Sequence, residues 1–65
     1  MNKYYKILIE FSNGTTPCKP HLIRRYGEDL LKECLQKEYI IQIGTNSVGD
    51  PIYTITEKGR QKRDN

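Results

Sequence analysis

A chain of 65 residues, 35% apolar and with a net charge of +3, amounts to one domain near the size at which a single core supplies only about 3–5 kcal/mol. Nearly every large apolar side chain is then needed for folding, which excludes a deep, separately built active-site cleft. The charge excess is mild: it is compatible with a polyanionic partner without requiring one.

No apolar run approaches the roughly 18 residues of a membrane span. Tyr4 to Phe11 is too short for a span or a leader and is interrupted by Lys6 and Glu10. A cytoplasmic protein without membrane contact is expected. Two cysteines, Cys18 and Cys34, do not make a disulfide framework in such a chain. Cys18-x-x-His21 resembles half of a zinc site, but structural zinc takes four ligands and only Cys34 remains to offer. Neither metal nor cofactor is expected.

The first segment, Asn2 to Phe11, supports two readings. Tyr4, Ile7, Leu8 and Phe11 follow helical spacing, whereas Tyr5, Ile7, Ile9 and Phe11 alternate as in a strand. Helix is favoured because Leu8 would be wasted on the solvent side of a strand; a strand pairing with the later hairpin is the alternative. Ser12-Asn13-Gly14 ends the element. From Thr15 to Pro20 two prolines preclude regular helix.

Pro20 suits the first turn of a short helix through Tyr26, with Leu22, Ile23 and Tyr26 apolar and His21, Arg24 and Arg25 outward. Gly27 punctuates. Glu28 to Glu38 follows, with acids at its start and Lys37 near its end, matching the helix dipole. Leu30, Leu31, Cys34 and Leu35 form its stripe, while Lys32, Glu33, Gln36 and Lys37 face water. One helix running from Pro20 to Glu38 through Gly27 is the alternative, at a cost of about 1 kcal/mol.

Tyr39 to Thr56 reads as a hairpin. Ile41 and Ile43 share a face on the first arm, with Gln42 and Gly44 opposite. Tyr53 and Ile55 alternate with Ile52, Thr54 and Thr56 on the second. Thr45 to Pro51 supplies the turn. The expected domain is residues 1–57, with 58–65 a charged, fraying tail. Its expected core is Leu8, Phe11, Ile23, Leu30, Leu31, Leu35, Ile41, Tyr53 and Ile55.

No enzyme is expected. Cys18 and His21 lack a third, orienting residue. Glu28 and Asp29 are adjacent, so on a helix they diverge. Gly44, Gly49 and Gly59 lack phosphate-loop spacing and read as turn and terminus residues.

The run LLKECLQKEYIIQIGTNSVGDPIYTITEKGR resembles the end of a winged-helix domain. In that family a recognition helix closes on a leucine-rich stretch and a two-stranded wing follows. The second wing strand reads Tyr-x-Ile/Leu-Thr-x-x-Gly-Arg, matched here by Tyr53-Thr54-Ile55-Thr56-Glu57-Lys58-Gly59-Arg60. The resemblance implies an α+β winged helix, with two or three short helices followed by a two-stranded hairpin. It also implies a transcription-regulator-like protein that binds duplex DNA. Arg24, Arg25, Lys32, Lys37, Lys58 and Arg60 would neutralise phosphates, and Gln36 and Asn46 would supply hydrogen bonds to bases or phosphates.

Three departures favour a second reading. Gly27 alone replaces the usual three- or four-residue turn, the recognition helix opens with Glu28 and Asp29, and Thr45 to Asp50 holds no Lys or Arg. The alternative is a protein-interaction module on the same fold, such as a small regulatory or accessory protein of a mobile element. A homodimer is compatible with either.

Overall fold

A computed structural model describes residues 2–64. The described chain runs α1 (Tyr5–Ile9), a 3-10 turn (Ser12–Gly14), α2 (Lys19–Tyr26), α3 (Glu28–Gln36), β1 (Ile40–Thr45), β2 (Pro51–Ile55) and α4 (Glu57–Asp64). The two strands form one antiparallel sheet. This is an α+β, winged-helix-like layout with one helix more than expected, placed after the hairpin.

The helical reading of the first segment holds. Tyr4, Ile7, Leu8 and Phe11 are all buried, as one stripe at i, i+3, i+4 and i+7 requires. Asn13 (φ 62°) and Gly14 (φ 74°) then turn the chain through the left-handed region. Two helices, not one, follow. Gly27 (φ 93°, ψ 152°) breaks the path while its N–H still closes α2 on the Ile23 carbonyl at 2.8 Å; a residue with a Cβ rarely adopts that φ. At the end of α3, Glu38 takes φ 62°. The Tyr39 N–H bonds the Cys34 carbonyl at 2.9 Å and the Glu38 N–H bonds the Leu35 carbonyl at 3.1 Å. That paired pattern is a Schellman ending, and it aims the chain into the hairpin.

Register decides which hairpin residues enter the core. Ile40 pairs with Ile55, Ile41 with Thr54 and Gln42 with Tyr53; a bulge then shifts the ladder so that Gly44 meets Ile52. Ile40 is wholly buried, whereas Ile41 and Ile43 are 48% and 49% exposed. The expected core position of Ile41 is therefore wrong by one residue. Since side chains alternate, pairing Ile40 with inward Ile55 sends Ile41 outward with Thr54, and Ile43 is the extra residue of the bulge. The outer edge of β2 is covered: Cys18 bridges Ile52, and the Tyr53 N–H bonds the Pro17 carbonyl at 3.1 Å.

The expected frayed tail is also corrected, except at Asn65, which lies outside the described residues. Thr56 caps α4: its Oγ1 accepts the Gly59 N–H at 2.9 Å, as an N-cap threonine does. The Thr56 hydroxyl also donates toward the Glu38 carbonyl at 2.6 Å. Gly59 packs so closely on the Tyr39 carbonyl that a Cβ would overlap it. Asn2 Nδ2 donates to the Lys62 carbonyl at 2.9 Å, joining the two ends of the described chain. Capping and close backbone packing fold this segment, although it contains no large apolar residue.

The core comprises Leu8, Phe11, Leu31, Tyr53 and Ile55, as expected, together with Tyr4, Ile7, Leu22, Cys34, Tyr39 and Ile40. Ile23, Leu30 and Leu35 pack against its margin only partly buried. Burial pushes the Cys34 thiol up to about 11, consistent with a small core hydrophobe.

Candidate nucleic-acid interface

Leu31 and Cys34 anchor α3 to the core, which leaves Glu28, Asp29, Lys32 and Gln36 on its exposed side. Lys32 and Gln36 lie one turn apart and so are neighbours. Lys37, also exposed, follows at the helix exit. The acidic start of the helix stands in the same open face, as the sequence indicates.

The other expected contacts fall into two groups. On α2, Arg24 is exposed and forms no ion pair among the described residues. Arg25 lies 3.7 Å from Glu10 Oε2 but remains largely exposed. On α4, Arg60 faces Glu57 at 3.3 Å, and the Lys58 ammonium stands 6.0 Å from the centre of the Tyr39 ring. Asn46 is committed to its turn, where Oδ1 accepts the N–H groups of Val48 at 3.1 Å and Asp50 at 2.9 Å. That leaves only its amide nitrogen for a ligand.

Sequence reasoning missed Lys3 and undervalued Lys62. Lys3 bonds Glu33 at 3.0 Å and sits 5.4 Å from the Tyr4 ring centre, with Lys62 at 5.7 Å. The Tyr4 and Tyr39 rings meet edge to face at 5.1 Å. Only the helical stripe that buries Tyr4 hinted at this grouping.

His21, expected on the outward side of its helix, has a structural role on α2. Its Nε2 lies 3.0 Å from Glu10 Oε1, while the Tyr26 hydroxyl donates to Glu10 Oε2 at 2.7 Å. Glu10 follows α1, so these bonds tie α1 to α2. Hydrogen bonds from His21 and Tyr26, with the Arg25 charge beside them, hold the Glu10 carboxyl below its ordinary 4.5. Its contribution to stability is therefore complete above pH 4.5 and is lost as the pH falls through the lower folded-state value. Glu10→Gln should cost roughly 1 kcal/mol at neutral pH and flatten the decline in melting temperature below pH 4.5. An unchanged acid limb in the variant would show that the decline comes from other carboxylates.

Among the described residues no group of three or more His, Cys, Asp or Glu is placed to hold a metal, and no helix is long and apolar enough to cross a membrane. A shallow groove between α1 and α4 is lined by Tyr5, Ile9, Ser12, Asn13, Arg63 and Asp64, and its two charged residues pair with each other at 3.0 Å. Comparison with protein-family models, with curated proteins and with solved structures returns no match. Function is therefore read from the surface itself.

Proposed function

We propose that this chain is a small winged-helix protein of the cytoplasm that binds duplex DNA through basic surface residues, in the manner of a transcription regulator. The observation that carries the reading is the open face of α3. There Lys32 and Gln36 stand side by side, and the helix runs directly into a hairpin wing. Lysine neutralises a phosphate wherever it meets one, whereas a glutamine amide pairs bidentately with adenine. Arg24 on α2, which forms no ion pair among the described residues, adds a cation.

Titration of a generic duplex at low salt tests this. Saturable binding is expected, with log K falling by about 0.9 per phosphate contact for each decade of salt. Arg24→Ala with Lys32→Ala should weaken binding to all sequences alike, and Gln36→Ala should alter preference between them. Absence of binding at low salt would end the nucleic-acid reading.

A protein-interaction module on the same fold is the second reading. It is favoured by exposed Ile41, Ile43 and Val48 on a wing without Lys or Arg, and by Glu28 and Asp29 on α3. It predicts no saturable DNA binding at near-physiological salt.

A further inference from the structure

We infer that the main phosphate-contacting surface is a lysine cluster built on Tyr4 and Tyr39, so that a duplex lies along the C-terminal end of α3 and α4 rather than at the acidic start of α3. This rests on the nucleic-acid reading above and changes its geometry. Helix-turn-helix proteins ordinarily present the N-terminal residues of the recognition helix to base edges. Here that end carries Glu28 and Asp29, which repel a phosphate backbone.

The cluster joins three parts of the chain. Lys3 and Lys62 place their ammonium groups 5.4 Å and 5.7 Å from the centre of the Tyr4 ring, and Lys58 lies 6.0 Å from that of Tyr39. The rings touch at 5.1 Å, so the three cations share one aromatic platform. Both rings are at least nine-tenths buried; the lysines cover them and hold their charges at the surface, an arrangement the ring faces favour. The bond from Asn2 Nδ2 to the Lys62 carbonyl holds α4 against the segment carrying Lys3. Lys37 extends the cluster, because it lies one helical turn beyond Glu33, with its N–H on the Glu33 carbonyl at 2.9 Å.

Charge is in surplus there. Glu33 is already engaged by Lys3 at 3.0 Å and by the Tyr4 hydroxyl at 2.9 Å, and these bonds hold its carboxyl below the ordinary value. On α4 the acids are matched, Glu57 by Arg60 and Asp64 by Arg63. With Glu38 counted at the exit of α3, Lys3, Lys37, Lys58 and Lys62 still outnumber the remaining carboxylates. The wing tip offers no cation to compete.

The same geometry selects the partner. Single-stranded nucleic acid needs exposed aromatic faces for stacking, and both tyrosine rings are covered. An acidic peptide docks best where its side chains find pockets, and neither buried tyrosine opens one. Separate point charges carried by α4 and the segment before α1 suit the regularly spaced phosphates of a duplex.

The test compares the parent chain with Lys58→Gln/Lys62→Gln on a generic duplex across a salt series, with polyglutamate as a second ligand. The salt slope should fall by about 1.8, and affinity at about 0.1 M salt should drop roughly 60-fold, as expected for two lost phosphate contacts. Lys58→Arg/Lys62→Arg should restore both. Lys37→Gln, at an exposed site without a ring beneath it, should lower the slope by about 0.9 with no change in melting; it decides the matter if the double variant unfolds. An unchanged slope in folded Lys37→Gln and Lys58→Gln/Lys62→Gln, with binding lost in Arg24→Ala/Lys32→Ala, would overturn the inference and leave the DNA reading standing. Parent chain that binds no duplex at low salt would overturn both, and cluster-dependent binding of polyglutamate alone would replace DNA with an acidic protein partner.

Discussion

Gly59→Ala should destabilise the protein severely, although alanine is the better helix former. On an exposed helical surface this substitution would gain about 1 kcal/mol. Here the added Cβ would run into the Tyr39 carbonyl oxygen, with Ile55 Cγ1 at 2.8 Å and the Tyr39 carbonyl carbon at 2.9 Å. Neither backbone atom can swing aside, because the Tyr39 carbonyl also accepts the Thr56 N–H at 3.0 Å and lies 3.0 Å from the Thr56 hydroxyl. The helix must lift off the hairpin. Overpacking of this kind costs about 1–3 kcal/mol and sometimes more, a large part of what so small a domain possesses. Loss of α4 would also withdraw Lys62 from Tyr4 and break the Asn2 contact. Thermal melting with amide exchange over residues 57–64 measures the effect, and a melting temperature equal to or above that of the parent would refute the close packing.

The sign of that effect shows where the sequence was readable. Tyr4, Ile7, Leu8 and Phe11 announced α1 because a stripe of large side chains has a period. Gly27 announced a break because only its backbone tolerates the required φ. Residues 57–64 gave no such signal. Their anchor is a glycine pressed on a carbonyl and a cap formed by Thr56, and neither leaves a mark in hydrophobic periodicity. Thr56 followed three residues later by Gly59 looks, in sequence, like the approach to a terminus.

The candidate site was legible in part for a related reason. Exposed cations can be listed from the sequence, but what distinguishes them is which ring or carboxylate lies beneath, and that depends on tertiary contacts. Arg60 and Lys58 differ by two positions, yet one faces Glu57 and the other stands over Tyr39. Lys3 had no claim to attention until α1 packed against α4. Asn46 read as a ligand-facing amide, although its oxygen closes the wing turn.

Leu31→Ala and Ile41→Ala should separate cleanly, because hairpin register rather than apolar character determines what is core. Leu31 is 1% exposed and faces the same cluster as Phe11 and Leu22. Its truncation removes buried methyl groups and leaves a cavity that close-packed neighbours cannot fill, a loss of about 2–5 kcal/mol. Leu35, only partly buried, should cost less than Leu31. Ile41 is 48% exposed and pairs across the sheet with Thr54, so Ile41→Ala gives up little burial and should shift stability by under about 1 kcal/mol through strand propensity. Ile40→Ala, one residue earlier and wholly buried, should match Leu31→Ala instead. Denaturant melts of the four variants provide the comparison. If Ile41→Ala proved as damaging as Ile40→Ala, the pairing of Ile40 with Ile55 would be wrong and the hairpin would have to be shifted by one residue, turning Ile41 inward and exposing Ile40.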